Sequence, residues 1–170
     1  MRIYLVGYMA SGKSKISDAL SKLLLIPFVD TDTLIEMQVG RTIENIFETS
    51  GQEFFRKLEN LVLLETAKSE NIIVSTGGGL PSFNANMDWM NANGITIYLE
   101  ANAGLLFHRL ATSRGNRPLL KNLTDIELME QITGHLAERI PIYKKAKIIV
   151  SAANLNAKTL ADKILKFKNT

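Results

Sequence analysis

Eight residues near the start of the chain, Gly7-Tyr8-Met9-Ala10-Ser11-Gly12-Lys13-Ser14, fit the spacing G-x-x-x-x-G-K-[ST]. Gly7 and Gly12 permit tight backbone turns that aim successive N–H groups into one concavity. A helix opening at Lys13 adds the partial positive charge of its N-terminus to the same spot. Lys13 then has the reach for the β- and γ-phosphates of a nucleotide, and the Ser14 hydroxyl suits Mg²⁺. The plainer alternative is a glycine-bearing turn with an exposed lysine. It fits the context poorly, because the motif follows the apolar run Arg2–Val6 and precedes helically spaced Ile16, Leu20, Leu23 and Leu24. Nucleotide binding follows from this. The fate of the phosphate does not, since switches, motors, transporters and kinases share such a loop.

Two further clusters fall at the carboxyl ends of predicted strands, where an open α/β sheet places its ligand crevice. The first is Asp30-Thr31-Asp32. Asp32 can orient a hydroxyl or take its proton, and Asp30 can help organise the Mg²⁺ shell. A plain helix N-cap is an equal reading of Asp32. The second is Ser75-Thr76-Gly77-Gly78-Gly79, whose three glycines leave bare backbone for a close approach. Arg56, Arg117 and Arg139 are single arginines outside these clusters. Each alone reads as a surface ion-pair partner, and Glu59 stands at helical pair spacing from Arg56.

The elements that must position these groups alternate strand and helix. Apolar runs predict strands at Arg2 to Val6, Phe28 to Asp30, Asn71 to Ser75, Ile95 to Leu99 and Lys147 to Val150. Helices are predicted after Lys13 (closed by Pro27), from Thr33 to Val39 with Asp32 or Thr33 as N-cap and Glu36 completing a capping box, and from Gln52 to Ser69. Others follow from Ser82 to Asn91, through Leu105, Leu106 and Leu110, from about Thr124 with Pro141 interrupting or restarting it, and from Asn156 to Lys168. Buried strands with helical crossovers make a parallel sheet covered on both faces, in one α/β domain over residues 1–170.

Composition narrows the class. At 170 residues the chain can bury a sizeable core, and with no cysteine it has neither disulfides nor thiolate chemistry, as suits a reducing cytosol. A net charge of +3, spread along the chain, gives no reason to expect a nucleic-acid partner. The basic cluster His108, Arg109, Arg114, Arg117 and Lys121 reads as a solvated loop or an anion-binding lid. The first strand begins next to Met1, so no signal peptide is expected. The longest apolar run, Leu23 to Val29, is too short to span a bilayer. A cytoplasmic monomer without membrane partners is the expectation.

In order, Gly7–Ser14, Asp30-Thr31-Asp32, Phe47-x-x-x-Gly51-x-x-x-Phe55-Arg56-x-x-Glu59, Thr76-Gly77-Gly78-Gly79, Arg117-Pro118-Leu119-Leu120 and Arg139-x-Pro141-x-Tyr143 resemble the motif set of the shikimate kinases. The resemblance runs from Gly7 to about Val150. It implies a nucleoside-monophosphate-kinase-like fold with strand order 2-3-1-4-5, and transfer of the γ-phosphate of ATP to the 3-hydroxyl of shikimate in aromatic amino-acid biosynthesis. It also implies that Asp32 holds and deprotonates that hydroxyl. Arg56 and Arg139 clamp the carboxylate, with Gly77, Gly78 and Gly79 against the substrate. Arg117 swings over the phosphates on a mobile lid at about residues 111–123. Nucleotide contacts would fall on Ala10, Ser11, Gly12, Lys13, Ser14 and Lys15, with Arg109 the nearest candidate against adenine, and Mg²⁺ on Ser14 and Asp30. Lys13, Asp32 and Arg117 are the residues expected to carry catalysis.

The chain departs from the family pattern at Gln52, where Glu is usual, and it has no counterpart after Val150 to an adenine-side arginine found in some members. Two rivals remain at this level: another small-metabolite P-loop kinase such as a gluconate kinase, and a nucleotide-binding regulator without phosphotransfer. The first has no need of Arg56 and Arg139 as a pair aimed at a carboxylate. The second would be expected to carry a basic face with exposed aromatics or an appended interaction domain.

Overall fold

The structure, a computed structural model, describes residues 1–113, 120 and 123–168. The apolar runs form five strands: β1 (Arg2–Val6), β2 (Phe28–Asp30), β3 (Ile72–Ser75), β4 (Ile95–Glu100) and β5 (Ile148–Ser151). All pair in parallel, in the order β2-β3-β1-β4-β5. Among the described residues seven α-helices connect and cover them: α1 (Lys13–Leu24), α2 (Thr31–Val39), α3 (Ile43–Glu65), α4 (Asn86–Asn93), α5 (Ala103–Thr112), α6 (Asp125–Tyr143) and α7 (Ala157–Lys168).

Strand alternation divides the core between the two faces of the sheet. Ile3 and Leu5 pack with Ile16, Leu20, Leu160 and Ile164, whereas Tyr4 and Val6 pack with Leu63, Leu80, Met87 and Tyr143. Each such side chain contributes about 1.5–3 kcal/mol by leaving water. Burial on both faces explains why β1 reads as an unbroken apolar run rather than an alternating one. A third cluster of Ile35, Ile46, Phe55 and Val62 joins α2 to α3.

Register positions the chemistry. Leu5 pairs with Ser75 and Ser75 with Asp30, so the end of β1, the start of the glycine loop and the first acidic residue stand in one row. Order reverses at β1, with β3 on one side and β4 on the other, and the crevice at such a point receives the ligand.

Several helix bounds differ from expectation. Helix α2 starts at Thr31, not Thr33, and its N-cap is Asp30, which accepts from the Asp32 amide at 3.1 Å. Asp30 is still extended as the last residue of β2, so the helix can begin at once, and Asp32 is left without a capping duty. Glu36 completes no capping box; it accepts from the Ile43 amide at 2.9 Å and ties α2 to the next helix. Helix α3 begins at Ile43 behind the Thr42 cap, because Gly51 (φ 76°, ψ 174°) kinks a helix already under way. It stops at Glu65, ahead of Ser69, and a 3₁₀ turn follows over Thr66–Lys68. The predicted helix from Ser82 divides into a 3₁₀ turn, Leu80–Ser82, and α4, with Ala85 at φ 54° between them. Pro141 neither ends nor restarts α6. It lies in the last turn, and the Lys144 amide still donates to Ile140 O at 2.9 Å.

Candidate functional site

The loop between β1 and α1 takes the conformation its glycines predict. Gly7 (φ 143°) and Gly12 (φ 103°) occupy regions closed to most residues, and a Cβ on Gly7 would stand 2.9 Å from the Leu99 carbonyl oxygen. The Lys13 side chain bends back and donates to the carbonyls of Gly7 and Tyr8, both at 2.8 Å, so the ammonium sits at the centre of the loop.

Beside it, the Asp30 carboxylate receives the hydroxyls of Ser14 at 2.9 Å and Ser75 at 2.8 Å on one oxygen. The strand row described above produces this meeting. Among the described residues no group of three or more His, Asp or Glu side chains is gathered as a metal cage. A hydroxyl with one carboxylate suits Mg²⁺, which takes most of its ligands from phosphate and water.

A cavity of about 580 Å³ adjoins the loop and is lined by Asp32, Arg56, Glu59, Gly77, Gly78, Gly79 and Arg139, with Met9, Phe47, Gln52, Phe55 and His135 among its other walls. Its volume suits a small metabolite. Helices α2, α3 and α6 each bring one predicted side chain to it. Two of those groups hold polar atoms that have no partner among the described residues: Oδ1 of Asp32 and Nε of Arg56. Orphaned polar atoms that line a cavity suit a bound ligand.

The electrostatics follow from burial. Desolvation, reinforced by the charge of Asp30 and opposed by Lys13, pushes the Asp32 carboxyl up to about 6. Desolvation also pushes Glu59 up to about 7 against the opposing pull of Arg56. Glu59 is almost wholly buried and accepts from Nη1 of Arg56 at 2.5 Å. The guanidinium also lies 4.2 Å from the centre of the Phe83 ring. Arg56 is therefore both things its spacing allowed, an ion-pair partner of Glu59 and a wall of the cavity. Gln52 lines the same cavity, and it is Glu59 that braces Arg56.

The glycine loop has no room for side chains. A Cβ on Gly77 would meet Asp32 Oδ1 at 2.7 Å and Glu59 Oε1 at 2.9 Å, and one on Gly79 would meet Arg56 at 2.5 Å. The Gly77 amide donates to the Thr31 hydroxyl at 2.8 Å, which fastens the loop to the start of α2. Gly78 gives its carbonyl to the Tyr143 hydroxyl at 2.5 Å.

Ala10, Ser11, Gly12, Lys15 and Arg109 line a separate cavity of about 550 Å³ together with Ala152, Ala153 and Leu155 to Ala157. Arg109 donates to the carbonyls of Ala10 and Ser11 (each 3.1 Å) and Ala152 (3.0 Å), joining the P-loop to the segment after β5. Arg117 and most of the expected lid lie outside the described residues. Sequence reasoning assigned no role to His135 or Tyr143. His135 lies one helical turn before Arg139, a spacing that places both on one face. Tyr143 closes the quoted motif of α6.

A shikimate kinase family model matches residues 9–169. A shikimate kinase of Phocaeicola vulgatus is 41% identical over 157 residues, which cover 92% of this chain and 90% of that protein. The crystal structure of the shikimate kinase of Bacteroides thetaiotaomicron superposes with a TM-score of 0.92 at 36% identity, covering 100% of this chain and 99% of that one. That of Acinetobacter baumannii in complex with shikimate gives 0.86 at 33% identity, covering 99% and 92%. No helix among the described residues is long and apolar enough to cross a membrane. With the P-loop, the acidic strand end and the glycine loop in one crevice, and likeness along nearly the whole sequence, the chain belongs to the shikimate kinase family.

Proposed function

We propose that Asp32, Arg56 and Arg139 form the acceptor side of the reaction this family carries out, transfer of the γ-phosphoryl group of ATP to the 3-hydroxyl of shikimate. The observation that carries this reading is the convergence of one orphaned carboxylate and two arginines on a single cavity next to the P-loop. Guanidinium forks match the planar carboxylate of shikimate. With the carboxylate held there, Asp32 accepts the proton of the attacking hydroxyl, and a carboxyl with a pKa near 6 is ionised at neutral pH yet basic enough for the task. Gly77, Gly78 and Gly79 allow the substrate to approach the backbone.

On the nucleotide side, residues Ala10 to Lys15 wrap the phosphates, Lys13 balances charge on the β- and γ-phosphates, and Arg109 walls the adenine cavity. Ser14 and Asp30 would hold Mg²⁺, which supplies charge neutralisation on the phosphates when bound. Arg117, outside the described residues, is assigned to the transferring phosphoryl group on the lid by family resemblance alone. One domain acting as a cytoplasmic monomer is the simplest organisation.

A coupled ADP-release assay with Mg-ATP tests the acceptor assignment, with shikimate, quinate and gluconate compared. ADP release that depends on shikimate supports it. ATP binding with no turnover on shikimate returns the acceptor question to the wider P-loop kinases.

A further inference from the structure

Helix α6 carries Arg139 and, one turn later, Tyr143. The Tyr143 ring is fully buried, 5.1 Å from the Tyr98 ring, within the core cluster that also holds Val6 of β1. Its hydroxyl has one proton, and the partner at 2.5 Å is the Gly78 carbonyl, which can only accept. The phenol oxygen is therefore left as an acceptor. The Arg139 guanidinium, one turn earlier on the same helix, is the nearest charged donor on that face, and its charge opposes the rise that burial imposes on the phenol. Arg139 also stands against the loop that Tyr143 holds: a Cβ on Gly78 would lie 3.7 Å from Nη1 of Arg139.

We infer that Tyr143 is a positioning residue, a core-anchored bridge that fixes Arg139 and the Gly77–Gly79 loop relative to each other. The carboxylate-holding arginine and the backbone facing the substrate then behave as one rigid wall. The direction of the bonds gives the bridge its specificity. Donation to Gly78 orients the peptide that follows it, and acceptance from Arg139 selects one placement of the guanidinium fork. Packing alone does neither, since a phenylalanine would fill the same volume. This inference rests on the assignment of Arg139 to the substrate carboxylate.

The test is a double-mutant cycle of Tyr143→Phe and Arg139→Ala. It is read as KM for shikimate, KM for Mg-ATP and kcat, with the methyl ester of shikimate as an uncharged comparison. Tyr143→Phe alone is expected to raise KM for shikimate about five- to tenfold, the effect of losing one hydrogen bond. KM for Mg-ATP and kcat should stay within about twofold, and in the Arg139→Ala background the same change should cost clearly less, only the share carried by Gly78 remaining. An unchanged KM, equal effects in both backgrounds, or a Tyr143→Phe variant that does not fold would each overturn the bridge. The first two would leave the arginine assignment intact. If Arg139→Ala keeps the wild-type preference for the acid over its ester, the arginine assignment fails, and the bridge loses its purpose with it.

Discussion

A methyl group on Gly79 would lie 2.5 Å from Nη1 of Arg56, so the glycine loop and the arginine are fitted into one volume. Glu59 holds the guanidinium from one side and the Phe83 ring covers it from another, which leaves the arginine little room to retreat. Gly79→Ala is therefore expected to displace Arg56 and raise KM for shikimate at least about tenfold, with little change in KM for Mg-ATP. Initial-rate kinetics with each substrate varied in turn check this. Equal changes in both constants would mean general damage to the crevice.

Asp32 gives a prediction about stability whose sign separates two readings of that residue. Its carboxyl is raised from 3.8 to about 6 by folding, so the folded chain keeps a proton that the unfolded chain releases between those values. Stability contributed by the protonated group is present below about pH 4 and lost as pH rises to about 6. Asp32→Asn removes this penalty and should stabilise the protein above pH 6. The gain is on the order of 2 kcal/mol after allowance for partial exposure, and it shrinks toward zero near pH 4. A helix cap would behave oppositely, losing about 1 kcal/mol on substitution. Denaturant unfolding of both proteins at pH 4.5 and pH 8 gives the sign.

That contrast shows what the sequence carried and what it did not. The P-loop, the strands and the placing of Asp30 and Asp32 near it were legible, because buried parallel strands read as apolar runs and their carboxyl ends define the crevice. The capping residue was misplaced by two or three positions, because nothing in Asp30-Thr31-Asp32 says at which residue the backbone turns from extended to helical. The first half of α3 was missed for a related reason. Gly51 looks like a boundary, yet Ile43, Ile46 and Phe47 behind the Thr42 cap have the spacing of a helix face. The pairing of Arg56 with Glu59 was visible from spacing, whereas its burial was not, since that depends on the glycine loop folding over it. Tyr143 had no signal beyond its place in a motif, because its partner is a backbone carbonyl 65 residues earlier in the chain.

In the proposed role as base, the same carboxyl would set the pH dependence of the reaction. A base must be ionised to accept a proton, so kcat/KM for shikimate should fall below pH 6, approaching tenfold per unit as Asp32 becomes protonated. Rate profiles between pH 5 and 8 at saturating Mg-ATP check the position of this limb.

Arg109 holds three backbone carbonyls, two in the P-loop and one in the segment after β5. Arg109→Ala should release that segment from the loop and raise KM for Mg-ATP about tenfold or more, with KM for shikimate changed by less than about threefold. Nucleotide titration by calorimetry gives the same comparison without turnover.

The proposed action of Asp32 on the acceptor hydroxyl is tested by comparing turnover with nucleotide affinity in Asp32→Asn. Helix α2 is capped by Asp30, so the substitution should leave the P-loop and the ATP dissociation constant within about twofold of the wild type. Over the same change, kcat with shikimate should fall by about a hundredfold or more. Equal losses in kcat and ATP affinity, or a kcat close to that of the wild type, would mean that Asp32 does not act on the hydroxyl.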